Sequence, residues 1–337
     1  MLEFHKIVNT AYWIILGIIL LTIATRFLYF KKTQARRTNI RGEKLFFRAI
    51  RYLSLLTLPI FIIGLVKFIF VLQKGNLFAS QWMKVSLIIL LAMLVVSETY
   101  YNIRIHSTRW TRILNLFFCV LTLALGFYLN RIYYFAKQHP SIEQSVIIEL
   151  PFEGNWIASG AGASALTNHH DRIASQKYAL DISRLDEDGK LFTGQGIANE
   201  ESNTYGAEVY SPVDGRIVYL VDSLPDTPTR ERDQLAGNHV VIHFQDSLFA
   251  ALAHLQPHSI PFKVGDLVTT KDVIGKVGMS GNTDFCHLHL HIQDRPKYDI
   301  ENGRSYPFRF KNFQRKRYLM WREQENAFLL SNDIVRK

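Results

Sequence analysis

Cys286-His287-Leu288-His289-Leu290-His291 places three imidazoles at alternate positions of an apolar run. Along a β-strand, residues two apart share a face and sit roughly 6.6 Å from one another, so His287 and His289 enter one site together; a helix would scatter them. The pattern predicts a strand with one apolar face and one chemical face. One imidazole of the pair can bind a metal while the other handles a proton.

The surrounding sequence reads the same way. Ser145–Leu150 is a strand pattern closed by the turn Pro151-Phe152-Glu153-Gly154, and short strands follow around Asp214-Gly215, over His239–Phe244, Leu248–Leu255, Phe262–Val268 and Val273–Gly278. No run of twelve helix-periodic residues interrupts Leu191–Gln293, which excludes a layered α/β fold. The expectation is a mostly β domain over 141–313, a compact antiparallel sheet or sandwich with short strands, followed by a basic C-terminal tail over 314–337 that holds Arg315, Lys316, Arg317 and Arg322. The polar segment Ser223–Gln234 reads as a surface loop, either a groove wall or an ordinary solvent loop.

Ahead of this domain the composition changes. Four apolar stretches, at about 12–30, 52–72, 83–100 and 112–130, each offer roughly 18 to 21 residues, near the ~20 that an α-helix needs to cross ~30 Å of hydrocarbon. Residues 1–140 are therefore expected to be a membrane region of four transmembrane helices. Lys31, Lys32, Arg36, Arg37, Arg41, Lys44, Arg48 and Arg51 lie between the first two stretches and Arg104, Arg109 and Arg112 between the last two, so the positive-inside bias puts both loops in the cytoplasm. This implies a multi-pass protein of a bacterial inner membrane, with its C-terminal domain in the periplasm or outside the cell. Its partners would be the lipid bilayer and, from the charges Lys67 and Glu98 within the spans, a membrane protein. The net charge of +10 is largely explained by the cytoplasmic loops, and no nucleic-acid partner is expected. Cys119 and Cys286 are the two cysteines, one in a span and one in the outer domain, so no internal disulfide framework is expected.

Four segments distant in sequence carry metal-competent or proton-transfer side chains: Asn168-His169-His170, Ala179-Leu180-Asp181-Ile182, Ala253-His254-Leu255 and His287-Leu288-His289. Asp181 in an apolar strand is informative, because a buried carboxylate is costly unless a metal or strong hydrogen bonds compensate it. A catalytic zinc takes three His or carboxylate ligands and a water.

The stretches NHHDRIASQKYALDI (168–182), YGAEVYSPVDGRIVYL (205–220), ALAHLQPHSIPFKVGDLVTTKDVIGKVGMSGNT (251–283) and CHLHLH (286–291) together resemble the lysostaphin-type zinc metallopeptidases, peptidoglycan endopeptidases. The resemblance implies a duplicated-hybrid-motif-like sheet, one Zn²⁺ per chain, and a peptidoglycan or wall-peptide substrate. By position it implies that Asp181 and His289 are zinc ligands and that His254 and His287 are catalytic histidines whose individual roles stay open. The third ligand is His170, with His169 as the alternative, because eleven residues separate His170 from Asp181 where the family's usual interval is four. Cys286 stands where the family commonly has Pro. The function expected is zinc-dependent hydrolysis of peptide bonds in peptidoglycan cross-links; the rival readings are an inactive wall-binding or regulatory module and a zinc peptidase with a protein or short-peptide substrate.

Overall fold

The computed structural model describes residues 137–337 apart from 166, 195–197, 228–233 and 318–319, and ahead of 137 only the positions 13, 17, 89, 93, 124, 127, 128, 131, 134 and 135. Among the described residues the architecture is almost wholly β. The strands are β1 (Val146–Ile148), β2 (Trp156–Gly160), β3 (Leu180–Arg184), β4 (Glu208–Tyr210), β5 (Gly215–Val221), β6 (Asn238–Gln245) and β7 (Leu248–Leu255). They continue with β8 (Leu267–Val268), β9 (Val273–Lys276), β10 (Leu288–Gln293), β11 (Ser305–Tyr306), β12 (Phe308–Arg317), β13 (Met320–Ala327) and β14 (Ile334–Arg336).

One long sheet runs in the order β1-β12-β14-β2-β3-β10-β7-β6-β5-β8, with β11 on β10 and β13 on β12, and β4 and β9 form a separate pair. Neighbours are antiparallel except β1 and β12, which run parallel. The period of two decides which face is which. Leu288, Leu290 and Ile292 of β10 lie level with Ile182 of β3 and with Leu252 and Ala250 of β7, and Leu252 and Ala250 with Val240 and Ile242 of β6; all of these belong to the main buried cluster. Each aliphatic side chain so buried contributes about 1.5–3 kcal/mol. The intervening residues Asp181, His289, His291, Ala251, Ala253 and His239 share the opposite face, and this face carries the chemistry.

Two expectations are corrected. No helix among the described residues is long and apolar enough to cross a membrane, which overturns the four-helix transmembrane region as part of the fold; the stretches 12–30, 52–72, 83–100 and 112–130, with Lys67 and Glu98, lie outside the described residues apart from scattered positions. The expectation rests on apolar length alone, which sets a capacity to span and not a conformation. The lipid bilayer and a membrane-protein partner lose their support with it. Residues 314–337, expected as a basic tail, instead enter the sheet: β14 lies between β12 and β2. Arg315 is buried there, its Nε 3.3 Å from Asp333 Oδ2 and its Nη2 donating to the Phe328 carbonyl at 2.7 Å.

Candidate metal centre

The sheet register builds the site. His289 lies opposite Asp181 on one side and Ala253 on the other, and Ala253 lies opposite His239, so the four share one row and one face. His287 stands just ahead of β10. His254 is placed differently: the pairing of β6 with β7 steps from Asn238↔Leu255 to His239↔Ala253, leaving His254 as the extra residue of a bulge, with φ of 63°. A bulge re-aims a side chain, and a left-handed backbone at a residue with a Cβ stores strain of about 1–3 kcal/mol.

The eleven-residue interval between His170 and Asp181 is taken up by two 3-10 turns, His169–Arg172 and Ala174–Gln176. Asn168 ties the first of them down. Its side-chain oxygen accepts from the His170 N–H at 3.1 Å, and its amide nitrogen donates to the carbonyls of Gly162 (3.0 Å) and Ala179 (2.9 Å), two residues ahead of Asp181. The turn is thereby fixed against the start of β3.

Four imidazoles converge on the Asp181 carboxylate. Oδ2 lies 3.0 Å from His170 Nε2 and 3.5 Å from His169 Nε2; Oδ1 lies 2.9 Å from His289 Nδ1 and 3.4 Å from His287 Nε2. The His254 ring is centred 4.8 Å from that of His287 and 5.8 Å from that of His289. His169, His170 and Asp181 offer ligand atoms within 4.8 Å of one another. Between the two adjacent histidines, the His169 side chain is 55% exposed and that of His170 only 10%, so His170 is the more fixed donor.

The hydrogen bonds assign the tautomers. Gln293 Nε2 donates to the carbonyls of Arg295 (2.7 Å) and Lys297 (3.0 Å), so its Oε1 is an acceptor, and His291 Nε2–H donates to it at 2.7 Å. His291 Nδ1 is then an acceptor, and His289 Nε2–H donates to it at 3.0 Å. His289 Nδ1 is left with only a lone pair, and it faces Asp181 Oδ1 at 2.9 Å. Protonating His289 is no escape, because burial holds its pKa well below the ordinary histidine range. Burial by itself would push the Asp181 carboxyl up, yet the His170 imidazole, 3.0 Å away, holds it well below the usual carboxylate range.

Two acceptors therefore meet with no proton between them, an arrangement that a cation relieves. His170 Nε2 and His289 Nδ1 stand 3.0 and 2.9 Å from the two different oxygens of the Asp181 carboxylate, so two imidazole nitrogens flank one carboxylate, a donor set of the His and carboxylate type that zinc takes.

The two remaining histidines are each held by a backbone carbonyl. His254 Nδ1–H donates to the Ser280 carbonyl at 2.8 Å and His287 Nδ1–H to the Phe285 carbonyl at 2.9 Å, which leaves the lone pair of each on Nε2. Burial, together with the neighbouring His287, lowers His254 to about 3, so it is neutral at physiological pH. Cys286 is buried, with its thiol pushed up to about 12 by that burial.

Three contributors are not visible in the sequence. Gly160 leaves room for the site: a Cβ there would stand 3.1 Å from Asp181 Oδ2 and 3.2 Å from the His169 ring. Gln293 sets the tautomers through His291. Tyr298 stands against two histidines of β10, its ring centred 5.2 Å from that of His291 and 6.2 Å from that of His289. A glycine at a strand end and a Gln two residues past a histidine carry no distinctive signal, because their roles arise from cross-strand neighbours.

With the geometry in hand, residues 159–302 match the model of Peptidase family M23. Among solved structures, the chain is similar to the catalytic domain, in a point-mutant form, of the prophage-encoded M23 protein EnpA from Enterococcus faecalis, at 17% identity and TM-score 0.32, covering 47% of this chain and 93% of that one. It is similar also to the catalytic domain of lysostaphin from Staphylococcus simulans, at 19% identity and TM-score 0.24 over 32% of this chain and 79% of that one. A third is the deep-sea M23 metalloprotease pseudoalterin, at 14% identity and TM-score 0.32 over 55% and 95%. No curated protein matches the chain.

Proposed function

We propose, from the match of residues 159–302 to the model of Peptidase family M23, that the site is a zinc endopeptidase acting on the peptide cross-links of peptidoglycan. His170, Asp181 and His289 hold one Zn²⁺ per chain, with the exposed His169 beside them. Bound there, zinc supplies polarisation of the scissile carbonyl and acidification of a water. The chain's own residues manage the protons. The Nε2 lone pairs of His254 and His287 face the ligand cluster from rings held by backbone carbonyls, so one takes a proton from the attacking water and the other passes a proton to the leaving amine. An N–H on either ring, once gained, donates to the developing oxyanion. Because this substrate lies outside the cytoplasm, the domain is proposed to work there.

The observation that carries the reading is the lone-pair contact of His289 Nδ1 with Asp181 Oδ1 at 2.9 Å, enforced by the Gln293 and His291 bonds. The test is metal content together with turnover of purified cross-linked muropeptides by the full chain. One zinc per chain with defined cleavage products, and loss of both in Asp181→Ala, supports the proposal. Zinc retained without any cleavage, or no zinc at all, overturns it.

A further inference from the structure

Beside the metal centre, on the same face of the sheet, lies a cavity of about 520 Å³ walled by strands β5 and β6 and by the loops at Leu235 and Lys297–Glu301. It is of the size of small-ligand sites. His239 supplies part of its floor from the row that also holds Ala253, His289 and Asp181. Two strand spacings separate His239 from His289, roughly 10 Å, which is about three residues of an extended peptide. Tyr298 stands between the two places, its ring centred 5.8 Å from that of His239 and 6.2 Å from that of His289.

The chemistry of His239 is unusual for a structural residue. Its Nδ1–H donates to the Gly237 carbonyl at 2.7 Å, so Nε2 carries only a lone pair. The residue is 6% exposed and Nε2 is buried with no hydrogen-bond partner. An unpaired buried acceptor of this kind is costly and rare in a native fold. The Tyr219 and Tyr298 rings flank it, at 5.6 and 5.8 Å, so a group entering between them from the cavity is what can satisfy it.

The rest of the wall carries both signs: Asp299, whose carboxylate accepts from the N–H groups of Glu301 and Asn302 in its own turn, Glu301, and Lys297, whose ammonium stands over the Tyr219 ring, 5.3 Å from its centre. The unpaired acceptor of the wall is His239 Nε2, and it calls for a ligand that donates.

We propose that this cavity is a specificity subsite for a side chain of the peptide substrate that bears an N–H donor, a primary ammonium above all, which hydrogen-bonds to His239 Nε2. The inference rests on the peptidase reading for what the peptide is, and its test does not depend on turnover. The probes are two series of acetylated, amidated Ala/Gly pentapeptides, one with lysine and one with norleucine placed in turn at each position. Their affinities are measured by calorimetry on the zinc-loaded full chain carrying His287→Ala, which removes cleavage.

At one position the lysine peptide binds about tenfold more tightly than its norleucine partner, the difference a hydrogen bond to a charged donor makes. Adding His239→Leu removes that preference, and adding His239→Gln, which returns an acceptor oxygen, restores part of it; zinc content reports that each variant is folded. Equal affinities at every position, no binding of either series at millimolar concentration, or a preference that survives His239→Leu overturns the proposal. Cleavage assays on the unaltered chain separately decide the peptidase reading, so the two can fail independently.

Discussion

At the scale of single residues, the site depends on side chains that never touch a reacting atom. Gln293 is one: it fixes the proton on His291, which fixes the proton on His289, which leaves a lone pair on Nδ1 beside Asp181. Gln293→Leu is expected to lower zinc affinity about 10- to 100-fold, the usual cost of losing such an outer partner of a metal ligand. In ¹⁵N-histidine spectra of the metal-free chain the same change should turn His289 into a mixture of tautomers, and an unaltered zinc Kd with unaltered spectra would refute the relay. Gly160→Ala should also weaken zinc by about tenfold or more, the scale of a disturbed metal ligand, since its Cβ would crowd Asp181 Oδ2 at 3.1 Å. Competition with a zinc chelator measures this, and affinity within about twofold of the unaltered chain would count against it. The sequence puts His170, Asp181, His254, His287 and His289 forward as a group, because His and Asp in apolar strands are conspicuous, and the structure sets these side chains together. It offers no means to find Gly160 or Gln293, whose meaning lies in which strand runs alongside.

At the scale of elements, the bulge at His254 and the alternation in β10 do opposite kinds of work. Alternation in β10 is legible in the sequence because a period of two needs no tertiary information. The bulge is not, since an extra residue exists only relative to a partner strand. With φ of 63°, His254 should be a position where glycine relieves strain. His254→Gly is expected to melt at or above the temperature of His254→Ala while both lose roughly a hundredfold or more in turnover, the contribution of a positioned acid or base; a glycine variant that melts lower would show that the backbone there is unstrained. The sequence of β12 and β14 reads as a tail because Arg315, Lys316 and Arg317 form a charge run. The burial of Arg315 against Asp333 turns part of that run inward, and only the fold reveals it.

At the scale of the whole domain, the buried histidines make the metal-free protein sensitive to acid. Burial holds His254 at about 3 and His291 at about 4, against about 6.5 in an unfolded chain. Between those values the unfolded chain binds more protons, so stability rises with pH. The contribution is complete above about pH 6.5 and is lost as pH falls toward 4 and then 3. Melting temperatures of the chelator-treated chain should therefore decline steadily from about pH 7 to about pH 4, and the decline should flatten in a His254→Gln/His291→Gln double variant. A melting temperature that climbs on acidification would contradict the assignment. For the apolar stretches that precede the domain, hydropathy alone does not determine a conformation, whereas the alternation within the domain does.

The amide of Gln293 has two duties, since its oxygen completes the tautomer chain while its nitrogen holds the carbonyls of Arg295 and Lys297, the stem of the loop that carries Tyr298. On the zinc reading proposed above, ion and loop are thermodynamically coupled through one side chain. Linkage is reciprocal: by whatever factor an occupant resting on that loop changes the hold on the ion, the ion changes the hold on the occupant by the same factor.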